Sequence, residues 1–385
     1  MEHYLERSSI DHPLYPRAYD GWALTASILL DQACPGFLTD TLCADNLTRQ
    51  VRFAALAEMD IGQPETLAQH LHRAAYNQHH SRRDPLAEIA ESLLVLRPRV
   101  ILEALYGGCP DGFLGLLRRL DASPVDRDLY RAAHTIFSDP AHRRRAEVLL
   151  QTPGTITATK LSILSRLDPA LVHKGLVNRL YDAGVQVEGL HTFLSLIHNL
   201  CDATDEEITQ SIDQLAPQTK LTTWAVQWLR RQVRLPVQPP IPADDPRFQV
   251  LFGEALYECA LEFRNCLKDH LARPALGNTL FYRWAGAKPA VLELEAHSEG
   301  HWVLGDLLGP RNTLLDADTK AAIRAALREH GVLYSVHPVM PRAAAAGLSH
   351  LLQLWTAQWD VTTDTQDDES YVVSGLEVMA DQEGA

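Results

Sequence analysis

Residues 279–285 (TLFYRWA), 290–296 (AVLELEA) and 301–307 (HWVLGDL) are three short runs of apolar and aromatic residues. The connectors 286–289 (GAKP) and 297–300 (HSEG) separate them, and each contains a glycine. Short glycine-containing connectors between such runs are typical of antiparallel hairpins. The stretch therefore predicts a small antiparallel sheet of three to four strands.

Strand signals are nearly absent from residues 1–234, where helical periodicity and capping residues recur. Connectors with proline, glycine or aspartate separate these segments, and no strict repeat period emerges. The pattern predicts an all-helical, irregular, helical-repeat-like scaffold, with a compact multi-helix domain as the alternative. The predicted helices are 22–32, 41–59, 65–76, 86–96, 98–105, 110–120, 126–137, 141–150, 157–167, 170–183, 187–200, 205–215 and 221–233.

Five prolines between residues 235 and 246 predict an extended linker, because such a stretch cannot form a helix or a central strand. A small α+β domain is then predicted over 247–360, so that the fold class is mostly α. Its predicted helices are 247–270, 316–330 and 341–360, with a short fourth strand over 332–336. Residues 361–385 are predicted to form an acidic, partly disordered tail.

The composition, 46% hydrophobic with a formal net charge of −14, is that of a folded and acidic chain. Residues 361–385 contain seven acidic residues and no Lys or Arg, so half of this charge lies there. The six cysteines include no Cys-x-x-Cys pair, which leaves zinc-ribbon and thioredoxin-like sites without support. No signal peptide is recognised, and no apolar run reaches the ~20 residues of a membrane helix. We therefore expect a cytoplasmic protein with no membrane partner.

Three basic clusters lie in the helical part, at 79–83 (HHSRR), 142–145 (HRRR) and 230–234 (RRQVR). One interpretation is an anionic partner, such as nucleic acid or an acidic protein surface. The other is solvated helix ends, where cations suit the helix dipole. The acidic background favours the second interpretation.

The order of features between residues 256 and 328 resembles the PcfJ-like family of conjugative plasmids and other bacterial mobile or accessory regions. The residues that carry the resemblance are Asn265-Cys266, Phe281-Tyr282, Gly286 with Pro289-Ala290, Leu292-Glu293-Leu294, and Gly309-Pro310-Arg311-Asn312. This similarity covers about a fifth of the chain, and the helical part lies outside it. The resemblance implies a small α/β module with a polar pocket, and it implies no particular reaction.

Cys266 and His270 form a candidate catalytic pair. Four residues apart on a helix, they would share a face, and a histidine base can activate a thiol nucleophile. His297, His301 or Asp306 would then orient the base. Against this, a helix C-terminus disfavours a thiolate, and a buried structural cysteine is the alternative.

A second candidate site is a ligand pocket on the sheet and its exit loop. Aromatic rings there would stack on a nucleotide or single-stranded nucleic acid, while cations and an amide would bind its polar groups. Alternation complicates this hypothesis, because one aromatic face of the sheet must pack on helices. The predicted residues are Tyr282, Trp284, Lys288, Trp302, Arg311 and Asn312.

Zinc bound by His297, His301 and either Cys266 or Asp306 is the weaker interpretation, because exposed turn histidines account for the same pattern. No metal site or cofactor is therefore predicted. The sequence contains no phosphate loop, dinucleotide fingerprint, Gly-x-Ser-x-Gly elbow or His-Glu-x-x-His helix, which argues against several large enzyme classes.

The leading functional prediction is a bacterial accessory protein of mobile-element, conjugation or defence biology. Its helical scaffold would bind a protein partner, and the PcfJ-like module would supply a second recognition surface. One alternative is a cysteine-dependent enzyme that uses Cys266 with a nearby histidine. Another is a nucleic-acid or nucleotide binder that uses the sheet face with Arg311 and Asn312. Whether the chain is an enzyme stays open at this point.

Overall fold

The computed structural model describes residues 15–76, 84–297 and 300–334. The predicted helix 341–360, the predicted tail 361–385 and the basic cluster 79–83 lie outside these ranges, as do residues 335–336 of the predicted fourth strand. Every helix within the described ranges is too short or too polar to cross a bilayer.

Helices dominate the chain up to residue 230, as the sequence predicts. We call the helices from Gly21 to Arg230 the helical array. They are α1 Gly21–Ala33, α2 Phe37–Cys43, α3 Asn46–Ile61, α4 Pro64–Tyr76, α5 Pro85–Val95, α6 Pro98–Tyr106, α7 Phe113–Arg119, α8 Arg127–Ser138, α9 Arg143–Gln151, α10 Ala158–Arg166, α11 Lys174–Val177, α12 Val185–Cys201, α13 Asp205–Asp213 and α14 Leu221–Arg230.

Helix α3 organises the first part of the array. The Asp45 side chain caps it by accepting from the amides of Leu47 and Thr48, at 2.9 and 3.2 Å. Its residues from 49 to 57 are all buried, so that neighbouring helices surround it. Among these neighbours are α1, α4, α6, α7 and α8. The helices therefore pack around α3 without a strict repeat.

The starts of two predicted helices, 141–150 and 170–183, lie in short 3-10 turns. Asp139 and Asp168 accept hydrogen bonds from the amides of Ala141 and Ala170, but the turns that follow end at His142 and Leu171. The predicted helix over 170–183 is therefore wrong. His173 caps only the single turn of α11, by accepting from the amide of Gly175.

The sheet has four antiparallel strands in the order β1-β2-β3-β4, where β1 is Phe248–Leu251, β2 is Thr279–Trp284, β3 is Ala290–Ala296 and β4 is Trp302–Leu308. The small antiparallel sheet is thus confirmed. Between β3 and β4, Glu293 pairs with Asp306 and Leu294 with Leu304, so a bulge leaves Gly305 unpaired. We call residues 247–334 the sheet module.

The first strand of the sheet module corrects the prediction of one helix over 247–270. Phe248 pairs with Trp284, and Leu251 pairs with Phe281. The helix α15 then runs only over Gly253–Phe263, followed by a 3-10 helix Cys266–His270 and the short α16 Ala272–Leu276. The predicted fourth strand at 332–336 amounts, within its described residues, to one parallel bridge between Leu333 and Val303.

The two faces of the sheet belong to different hydrophobic cores. Phe281 and Val291 join the core that α15 shares with the helical array. Leu280, Leu292 and their neighbours form a second core, which α17 (Ala317–Glu329) and Ile241 of the linker cover. Residues 235–246 contain no helix or strand, as predicted, but hydrophobic packing crosses them. The domain boundary there stays a prediction.

Polar contacts reinforce this junction. Nε and Nη2 of Arg230 donate to the two carboxylate oxygens of Glu254, at 2.8 and 2.6 Å. The same guanidinium lies 3.8 Å from the ring centre of Tyr257, close enough for a cation–π interaction. The end of α14 is therefore attached to the first turns of α15.

Candidate functional site

Cys266 lies outside the helix that precedes it. Helix α15 ends at Phe263, and Arg264 then takes a left-handed backbone with φ of 52°. Asn265 starts the next turn by accepting from the amide of Leu267 at 3.2 Å. Cys266 is therefore the first residue of a 3-10 helix and is exposed. The alternative of a buried structural cysteine is therefore wrong.

His270 ends the same 3-10 helix and is half-buried, with its ring centre 6.2 Å from that of Phe281. In an α-helix, residues four apart are separated by about 40° around the axis. At three residues per turn the separation is about 120°. Cys266 and His270 thus lack the shared helix face that motivated the catalytic pair, and that pair stays a prediction.

A labelling experiment tests the reactivity of the thiols. Cys266 is exposed, whereas burial raises the pKa of Cys201 and of Cys259 to about 11. We expect iodoacetamide at pH 7.5 to modify Cys266 at least about tenfold faster than either buried thiol, because the thiolate is the reacting form. Peptide mass spectrometry over time gives the three rates.

Exposure alone accounts for such selectivity, so the pH profile decides whether Cys266 is activated. A Cys266 rate that already reaches its plateau near pH 6.5, and loses that plateau in His270→Gln, would support the cysteine-enzyme hypothesis. A rate that still rises above pH 8 in both proteins would contradict it.

The three aromatic residues of the predicted ligand pocket belong to the second core. Tyr282 is 1% exposed, Trp284 7% and Trp302 9%. The Phe248 ring packs at an angle against Tyr282 and Trp284, with ring centres 6.3 and 5.1 Å away. The prediction that these rings stack on a nucleotide is therefore wrong, because α17 and the linker cover this face of the sheet.

The three polar residues of the predicted pocket lie at the surface. Lys288 pairs with Asp316 at 2.7 Å, which ties the β2–β3 connector to the start of α17. Arg311 and Asn312 are exposed and take consecutive left-handed conformations, with φ of 56° and 58°. Their turn, Pro310–Asn312, packs against α15. Arg311 and Asn312 thus remain a candidate recognition loop, without the aromatic partners.

A half-buried polar cluster was missed by the sequence reasoning. Arg273 on α16 pairs with Glu293 at 2.6 Å and with Glu295 at 3.5 Å. Asp306, opposite Glu293 across the strands, has a raised pKa because of burial and of the Glu293 charge. The β3–β4 register brings these carboxylates together, and the bulge at Gly305 hides that register from the sequence. Within the described ranges, no group of three or more His, Cys, Asp or Glu has a metal-binding arrangement.

The described basic clusters of the array have structural partners. Arg143 pairs with Glu147, and Arg144 with Asp213. Arg145 is buried, and it donates to the Leu164 and Leu167 carbonyls at the end of α10. The 230–234 cluster is likewise paired, with Glu254, Glu207 and Asp202. These contacts favour the interpretation of both clusters as structural.

A groove of about 600 Å³ lies between α9, α11 and the chain that follows α13. This volume is in the range of small-ligand sites, roughly 300–1,000 Å³. Apolar side chains from all three segments form part of its wall. Its lining residues are Arg144, Glu147, Val148, Gln151, Val172, His173, Lys174, Gly175, Asn178, Arg179, Leu215 and Pro217.

Hydrogen-bond donors outnumber acceptors among the charged groups of this groove. Arg144 pairs with Asp213 and Glu147 pairs with Arg143, and neither partner lines the groove. Lys174 and Arg179 add two further cations, of which Arg179 donates to the Ala216 carbonyl. Among the described residues, the structure shows no ion pair for Lys174. His173 accepts from the Gly175 amide through Nδ1, so that Nε2 carries the hydrogen of the neutral ring and is a donor. The arrangement suits a ligand rich in acceptor oxygens.

The groove could not be anticipated from the sequence, because its walls come from segments that are more than seventy residues apart and meet only in the folded chain. The residues that carry the PcfJ-like resemblance, in contrast, all lie in the sheet module, and assignment to that family stays a prediction. No family model, no curated protein and no solved structure matches this chain.

Proposed function

We propose that this chain is a binding protein whose helical array holds an anionic segment of a protein partner in the groove between α9 and α11. The observation that carries the proposal is the excess of cationic donors around a concave surface with apolar walls. The sheet module supplies a second recognition surface at Arg311 and Asn312. The mobile-element, conjugation or defence setting implied by the resemblance is part of the same proposal.

Charge favours an acidic ligand in this groove. The chain carries a net charge of −14, so a local excess of cations is not the average character of its surface. Charged groups across an interface are generally complementary in sign. Carboxylate oxygens accept from ammonium, guanidinium and imidazole donors, all of which line the groove.

The apolar wall favours a peptide over a nucleic-acid backbone. Leu215 is half-buried and offers a contact for an aliphatic side chain, which a phosphate backbone does not carry. Val148 and Val172 also line the groove but are only 6% and 1% exposed. Nucleic acids are bound mainly by extended cationic surfaces that neutralise many phosphates. In the two described basic clusters, ion pairs and backbone hydrogen bonds already occupy the arginines.

A titration with fluorescein-labelled hexaglutamate, followed by anisotropy, tests the proposal. We expect saturable binding at low salt, and we expect Lys174→Glu to weaken it about tenfold or more, equivalent to about 1.4 kcal/mol. Lys160→Glu is the matched control, since it makes the same change of charge on α10, outside the groove. It should alter the affinity less than about twofold.

Equal weakening by both lysine variants would contradict a site in the groove and would indicate a general charge effect. Absence of any saturable binding would overturn the acidic ligand itself. A labelled single-stranded oligonucleotide that binds more tightly than the peptide, and that Lys174→Glu weakens, would instead support the nucleic-acid alternative.

A further inference from the structure

We infer that the acidic segment 364–369 (DTQDDE) of this same chain occupies the groove and competes there with the partner. This inference rests on the proposed function, because it concerns the regulation of that site. Four of these six residues are acidic, and no Lys or Arg occurs between residues 361 and 385. Of the chain's segments, this one therefore has strong charge complementarity to the groove.

The order of residues in the segment also suits the groove. The acidic run is followed, after Ser370, by Tyr371-Val372-Val373. The groove is lined by the donors Lys174 and Arg179 and by the half-buried apolar residue Leu215. A peptide that carries carboxylates and then aliphatic side chains can thus use both parts of the wall.

The length of the chain permits this contact. The described part ends at Tyr334, and residues 335–360 precede the acidic tail. The 29 residues of this tether, from 335 to 363, can span up to about 100 Å when fully extended. A compact chain of this length has a radius of gyration of about 21 Å. The tether therefore reaches a groove on any side of the array.

Tethering makes a weak contact effective. A segment on a tether of this kind reaches an effective concentration of about 1 mM at its own binding site. If the free segment had a Kd of ~0.1 mM, it would occupy about nine grooves in ten. An external ligand would then bind about tenfold more weakly to the full chain than to a chain without the tail.

The experiment compares three proteins with labelled hexaglutamate. They are the full chain, a chain ending at Asp360, and a full-length chain with Asp364→Asn, Asp367→Asn, Asp368→Asn and Glu369→Gln. We expect both altered proteins to bind the probe about tenfold more tightly than the full chain. A synthetic peptide of residues 361–385 should bind the shortened chain, and Lys174→Glu in that chain should weaken this binding while Lys160→Glu leaves it unchanged.

The outcomes separate this inference from the proposed function. Equal and saturable binding of the probe by all three proteins would overturn the inference and leave the proposed function standing. Tighter binding by the shortened chain but not by the neutralised chain would also overturn it, since the carboxylates would then play no part. If neither the probe nor the 361–385 peptide bound any of the proteins, the proposed function and the inference would both fall.

Discussion

We expect the Arg49→Met variant to lose about 3–5 kcal/mol of its free energy of unfolding, because it removes a buried cation that satisfies three carbonyls. Arg49 is fully buried on α3. Its guanidinium donates to the carbonyls of Arg17, Leu42 and Ala122 at 2.7, 3.2 and 3.1 Å. It also lies 5.3 Å from the Tyr19 ring centre. Methionine fills much of the space but donates no hydrogen bond.

Urea denaturation followed by tryptophan fluorescence measures this loss. Arg99→Met is the matched control, since Arg99 is an exposed residue that pairs with Glu103 one turn away. It should leave the urea midpoint unchanged. A loss below about 1 kcal/mol in Arg49→Met would show that water replaces the guanidinium, and the carbonyls of three separate segments would then not depend on α3.

The second large effect is expected at Gly253, where the helical array meets the sheet module. Its φ is 54°, and a Cβ there would lie 2.7 Å from the Gln232 carbonyl oxygen and 3.1 Å from that of Arg230. Both neighbours are backbone atoms, which cannot rotate away. We expect Gly253→Ala to lower the free energy of unfolding by about 2–4 kcal/mol, from the left-handed strain together with the clash.

Gly189→Ala provides a control of opposite sign. Gly189 is exposed within α12, and a Cβ added there meets nothing within 4 Å. Alanine in a helix interior should therefore raise the stability by about 0.5–1 kcal/mol. The same urea experiment measures both variants. A Gly253→Ala chain as stable as the wild type would show that the two parts separate at little cost.

The local elements of the fold could be predicted from the sequence, and the non-local ones could not. The three predicted hairpin strands agree with β2, β3 and β4 to within one residue at each end, because alternation and glycine turns act over short range. Strand β1 was predicted as helix, since four apolar-rich residues suit either structure. Its partner, β2, lies about thirty residues further along the chain.

For the candidate site, too, local features could be predicted from the sequence and non-local contacts could not. Alternation places Tyr282 and Trp284 on one face of the sheet, as predicted, but it does not say what covers that face. The answer is α17 and the linker, which turn these rings into core. The carboxylates of Glu293 and Asp306 face each other only once the bulge is known. The groove likewise depends on contacts between helices, about which helical periodicity carries no information.

The shared core has a consequence for the modularity of the protein. The buried residues of α15 include Leu256, Cys259 and Phe263, each at most 3% exposed, and they belong to the core that the sheet residue Phe281 shares with the array. A gene fragment that encodes the sheet without the array would expose to water the part of this core that the array covers. We therefore expect the sheet module to fold only together with the helices that α15 packs against. A fragment produced by recombination or by cloning would need those helices or a replacement for them.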